Sequence, residues 1–136
     1  MKVDDPNRLT FLQHLDIEVG DILRPHGFSL KTYTKKRETF YVGYYEEVIN
    51  RNCSGVFCWH FFDCGELAKL EVSGRIEPRV GLDKVWEFPK GISTDLREYK
   101  TLQEIGEEVK RAACEFWTEY AVFKKKKWRK AVPGVV

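Results

Sequence analysis

The cysteines and the histidine between residues 53 and 64 have side chains that could bind a metal ion. Zinc is held by thiolates and imidazoles, and Cys53, Cys58, His60 and Cys64 supply both. Structural zinc sites usually place paired ligands about two to four residues apart on a tight turn. The spacings in this chain are five, two and four residues along a predicted strand. They favour buried thiols and a hydrogen-bonded histidine, so we assign no metal site and no cofactor.

Cys58 and His60 also form the nearest pair of a thiol and a base in the sequence. A thiol nucleophile needs such a base within hydrogen-bond reach. Strand alternation puts the two side chains on one face but about 6–7 Å apart, so we expect no direct hydrogen bond. The chain also lacks a glycine-rich phosphate loop, a metalloprotease helix motif and a Gly-x-Ser-x-Gly elbow. We assign no catalytic residue, and the sequence favours a non-catalytic protein.

A basic segment near the C-terminus is the second group with recognisable chemistry. It consists of Lys124, Lys125, Lys126, Lys127, Trp128, Arg129 and Lys130. These six cations are part of 23, and without them the chain has 17 basic and 21 acidic residues, a formal charge of −4. The cations can complement the dipole at a helix end. Alternatively, they bind nucleic acid by contacting phosphates while Trp128 stacks on a base.

The composition predicts a folded domain in a reducing compartment. The chain has 136 residues, 43% of them apolar and 14% aromatic, which is enough for one domain with its own core. The sequence has no signal-peptide pattern and no apolar run of membrane-spanning length, so we expect a cytoplasmic protein with reduced cysteines and no membrane contact.

Two amphipathic helices are predicted. The first begins at Asp5-Pro6 and ends before Pro25 and Gly27. Its apolar stripe consists of Leu9, Leu12, Leu15, Val19 and Ile22. The second follows a capping box formed by Thr101 and Glu104. Its stripe consists of Leu102, Ile105, Val109, Ala112, Phe116, Tyr120 and Phe123.

An antiparallel meander is predicted between the helices. Strands are expected over residues 28–34, 39–48, 56–62 and 67–76 because these segments alternate and are rich in Thr, Tyr, Val and Phe. Residues 78–99 are predicted to form a loop with one short strand near Val85. The fold class is therefore α+β: a single antiparallel sheet of four to five strands, with both helices packed on one face. Residues 1–123 form one domain, and residues 124–136 form a basic tail.

The middle strands are apolar on both faces, although one layer of helices covers only one. The second face must therefore be covered by residues 78–99, by a second copy of the chain or by a partner. Tyrosine and tryptophan often anchor interfaces, and Tyr33, Tyr41, Tyr45 and Trp59 are predicted to bind such a partner. The alternative is that these rings pack beneath a loop of the same chain.

The turn Leu23-Arg24-Pro25-His26-Gly27-Phe28 resembles that of a family of small uncharacterised bacterial domains, in which a Leu-x-Pro-x-Gly-Phe turn follows the first helix. Thr39-Phe40 and Phe116-Trp117 also fall where that family places a strand and a late helix. The resemblance implies a helix–meander–helix domain similar in build to small immunity or antagonist proteins.

We therefore predict a bacterial or phage protein that acts as an immunity or inhibitor-type antagonist of another protein, such as a toxin or a defence factor. One alternative is a nucleic-acid-associated accessory protein that binds through the basic tail, and a homodimer remains open.

Overall fold

The structure, a computed structural model, describes residues 7–30, 40–63, 68–78, 86–88, 92–95 and 101–125. Its elements are α1 (Arg8–Leu23), β1 (Ser29–Leu30), β2 (Phe40–Asn50), β3 (Cys53–Asp63), β4 (Ala68–Pro78), β5 (Trp86–Glu87), β6 (Ile92–Asp95) and α2 (Leu102–Lys124). The predicted α+β class is confirmed. Within the described ranges the antiparallel sheet has six strands rather than four or five, because β6 was not predicted.

The sheet is built around three long strands. Its order is β1-β2-β3-β4, and β5 and β6 both pair with the far edge of β4. β5 pairs with Arg75 and Ile76, whereas β6 pairs with the segment from Lys69 to Val72. Ser73 and Gly74 therefore lie between the two short strands.

Helix α1 follows the predicted stripe with one shift. Leu12, Leu15 and Val19 are buried as expected, but Leu9 is 37% exposed and Leu23 is buried instead. A 3-10 turn over Arg24–His26 follows, and Gly27 has a φ of 93°, which confirms the predicted left-handed residue. The predicted helix start at Asp5-Pro6 lies outside the described residues.

Helix α2 is confirmed from its cap to its last turn. The Thr101 hydroxyl accepts a hydrogen bond from the Glu104 backbone N–H at 3.2 Å, which is half of the predicted capping box. Every residue of the predicted stripe is buried except Phe123, which is half-buried. The stripe faces the sheet: a Cβ at Gly74 would overlap the ring of Phe116, and a Cβ at Gly55 would overlap that of Tyr120.

Candidate functional site

Both helices that the structure describes lie on the same face of the sheet. Both helices contribute to a core cluster with alternate residues of the long strands, and we call this side the helix face. The opposite residues form the outer face, on which none of the described helices packs. The strand register puts on it Val42, Tyr44, Glu46, Val48, Ser54, Val56, Cys58, His60, Phe62, Lys69, Glu71, Ser73, Arg75, Glu77, Glu87, Ser93 and Asp95.

The predicted partner-binding residues lie on the helix face. Tyr41 is 2% exposed, and Tyr45 and Trp59 are 0% exposed. The assignment of these three rings to a partner is therefore wrong, because helix packing leaves them no surface to contact one. Tyr33 lies outside the described residues.

The polar atoms of these three buried rings take part in a hydrogen-bond network. The Tyr45 hydroxyl donates to the carboxylate of Asp16 on α1, and the Tyr41 hydroxyl donates to Asp16 Oδ2 at 3.3 Å. Trp59 Nε1–H donates to the Tyr45 hydroxyl at 3.1 Å. Burial, together with the charge of Asp16, raises the pKa of both tyrosines, so both remain donors. Asp16 was missed, although an acid within an apolar stripe is a visible signal.

The centre of the outer face is apolar and closed. Val42, Val56 and Cys58 are buried and form a small cluster of their own, with the half-buried ring of Tyr44 packed against it. Burial raises the pKa of Tyr44, an effect that the nearby Arg75 guanidinium opposes. The sequence left open what covers this face, and the structure shows its central residues already buried within one chain. The accessible part is the layer above them.

Cys58 and His60 contact each other on this face, contrary to prediction. The distance from Cys58 Sγ to His60 Nε2 is 3.0 Å, because side-chain torsions bring together two groups whose backbone positions are two residues apart. Burial raises the pKa of the Cys58 thiol to about 12 and lowers that of His60. The thiol therefore remains protonated beside a neutral imidazole, and the tautomer of His60 decides which of the two groups donates the hydrogen bond. A reactive thiolate–imidazolium pair would need the opposite shifts.

The described ranges contain no cluster of three or more His, Cys, Asp or Glu side chains able to hold a metal ion. Cys53 is buried on the helix face, away from Cys58, and Cys64 lies outside the described ranges.

Charged side chains surround the apolar centre. Arg75 Nε lies 2.6 Å from Glu77 Oε2, and Lys69 Nζ lies 2.8 Å from Glu71 Oε1. The described outer-face carboxylates are Glu46, Glu71, Glu77, Glu87 and Asp95, against the cations Lys69 and Arg75. With His60 neutral, the described part of this face carries a formal charge of −3.

The first residue of the basic tail is part of the domain. Lys124 Nζ donates to Glu47 Oε1 at 2.6 Å and lies 5.2 Å from the centre of the Tyr120 ring. The Tyr120 hydroxyl donates to the same oxygen at 2.5 Å. Lys125 is exposed at the end of α2. The other residues predicted to bind nucleic acid lie outside the described residues: Lys126, Lys127, Trp128, Arg129 and Lys130.

Comparison with protein-family models, with curated proteins and with solved structures finds no match for this chain. The resemblance to small bacterial helix–meander–helix domains therefore stays a prediction. Neither helix of the described part is both long and apolar enough to cross a membrane.

Proposed function

We propose that this protein is a non-catalytic binding factor that attaches to another protein through the outer face of its sheet. Its role is that of an immunity or inhibitor-type antagonist, and its partner presents a basic surface. The observation that carries the proposal is a layer of half-buried rings and carboxylates on the one sheet face that lacks a described helix.

The rings supply an anchor. Tyr44, His60 and Phe62 are half-buried above or beside the closed apolar centre, so their remaining surface can be covered at little cost in side-chain entropy. Tyrosine in particular is enriched among residues that dominate binding energy. A well-packed base beneath these rings keeps them in place before a partner arrives.

The charge of the outer face selects the partner. The described part of the outer face, with its formal charge of −3, attracts a basic surface and speeds its association at low salt. The same charge opposes pairing with a second copy through this face, because two acidic surfaces would meet. A basic protein surface is therefore favoured over a homodimer contact.

The electrostatics of Cys58 and His60 support binding rather than nucleophilic catalysis at this face. A buried thiol with a pKa of about 12 is protonated at neutral pH and is a poor nucleophile. Its hydrogen bond to His60 holds the imidazole in place on the outer face.

Position-specific photo-crosslinking in an extract of the source organism tests the proposal. One variant carries the crosslinker at Ser93, exposed on the outer face, and a matched variant carries it at Gln103, exposed on α2. We expect a protein adduct at position 93 that is absent at position 103, weakens with salt and disappears in a Tyr44→Ala background.

Equal adducts from both positions, or an adduct that survives Tyr44→Ala unchanged, would contradict the proposal. Circular dichroism of each variant confirms that the fold is kept.

A further inference from the structure

A cavity lies at the β4 edge of the outer face, where β5 and β6 separate. Its volume is about 320 Å³, and the polar residues of its described lining are His60, Glu71, Ser73, Glu87 and Ser93. All five belong to the outer face by register. The cavity exists because β6 pairs with β4 only as far as Val72 and β5 begins its pairing only at Arg75.

The remaining lining gives the cavity an apolar base. Phe88 and Ile92 contribute to it, and Phe88 is held by a hydrogen bond from its backbone N–H to the Gly74 carbonyl at 2.7 Å. Phe88 also packs edge-to-face on Phe116 of α2, with ring centres 5.8 Å apart. The base is therefore tied to the main core, and the cavity is part of the fixed fold.

The size of the cavity limits its ligand. Pockets for drug-sized molecules span about 300–1,000 Å³, so this one is at the lower end of the range. It suits a group the size of one amino-acid side chain. A nucleotide with its base, sugar and phosphate would need more space.

The charge of the lining selects a cation. Glu71 and Glu87 supply two carboxylates and the two serines supply hydroxyls, while none of the lining residues that the structure describes is a lysine or an arginine. His60 adds no charge at neutral pH because burial lowers its pKa. One carboxylate oxygen of Glu71 already forms an ion pair with the Lys69 ammonium group. A carboxylate has about four acceptor positions, however, so it can also bind a second donor group.

From this geometry we propose that the cavity binds a cationic side chain, of the arginine or lysine type, that projects from the basic surface of the partner. The proposal rests on the proposed function and adds the residue class that the partner inserts. The aliphatic stem of such a side chain covers Phe88 and Ile92, while its charged head reaches the carboxylates.

The test uses a small probe and needs no partner. N-acetyl-arginine amide is titrated into the full chain, with N-acetyl-citrulline amide as the uncharged analogue of the same shape, and amide NMR shifts are recorded. We expect saturable shifts at Ser73, Gly74 and Ser93 with the arginine probe only. Glu71→Gln and Glu87→Gln should each weaken binding about twofold to fivefold, as for a partly exposed ion pair. Glu107→Gln on α2 is the matched control and should change nothing.

Absent shifts, equal shifts with the citrulline probe, or binding that both glutamine variants leave unchanged would overturn the cavity proposal. A position-93 crosslink that passes its own test would then still support binding through the outer face. Conversely, if the cavity binds the arginine probe specifically but the crosslinking test fails, the cavity is a cation site that does not take part in binding a partner protein. That result would overturn the proposed function.

Discussion

The two faces of the sheet differ in the size and the burial of their side chains. On the helix face, large rings such as Trp59, Phe57 and Phe61 are fully buried, and glycines on three strands let rings approach the backbone. On the outer face, small apolar residues are buried, whereas the rings and charges above them are half-exposed. The difference indicates that the helix face supplies most of the stability and that the rings and charges of the outer face contribute less to it.

Truncating a ring on each face should give the largest contrast in stability. Trp59→Ala should lower the free energy of unfolding by about 3–5 kcal/mol, because it leaves a cavity and removes the donor to Tyr45. Tyr44→Ala on the outer face should cost less than about 2 kcal/mol, because its ring is only half-buried. Urea denaturation measures both, and equal losses would show that the faces do not differ.

Substitutions at two neighbouring residues of β4 should give a smaller difference in stability between the two faces. Gly74→Ala places a methyl group against the Phe116 ring and should destabilise the protein by about 1–3 kcal/mol. Ser73→Ala, one residue away on the outer face, should stay within about 0.5 kcal/mol of the parent protein. Thermal unfolding of the pair checks this, and a tolerated Gly74→Ala would mean that α2 packs less closely on the sheet.

The smallest effect concerns pH and comes from His60 on the outer face. Burial keeps the pKa of folded His60 below its ordinary value of 6.5, Arg75 adds to this effect, and Glu71 opposes it. As the pH falls towards 6.5 and below, this histidine therefore binds a proton in the unfolded chain before it does so in the folded protein. The folded protein loses stability as a result. Between about pH 7 and pH 5, the parent protein should lose more stability than His60→Gln. Identical pH profiles from urea titrations would contradict this environment for His60.

Much of the fold could be predicted from the sequence because its patterns are local. The stripe of α2, the capping residue Thr101 and the left-handed Gly27 each depend on a few neighbouring residues, and the structure has all three. Strand β6 was missed because its four residues, Ile92–Asp95, have no long apolar alternation and depend on pairing with β4.

The site was predicted less well because it depends on which face the helices cover. Alternation correctly separated Tyr41 and Tyr45 from Val42 and Tyr44, but both sets are apolar enough to be a core. A usable signal was the glycine opposite Trp59, since Gly43 faces that ring across the strands and leaves room for it. In this sheet, the pair of Gly43 and Trp59 lies on the face against which the helices pack.

The contact between Cys58 and His60 shows a second limit. Backbone spacing gave about 6–7 Å for two residues on one strand face. The actual contact of 3.0 Å depends on side-chain torsions, which the sequence pattern does not determine.

Hydroxyl-radical footprinting of the complex shows whether the protein binds its partner through the outer face, as we propose. Side-chain oxidation is measured with and without the partner identified by crosslinking. We expect Tyr44, His60 and Phe62 to become protected, while Trp117 and His14 on the helices keep their reactivity. Protection of the helix residues, with Tyr44 as reactive as in the free protein, would show that the partner binds elsewhere.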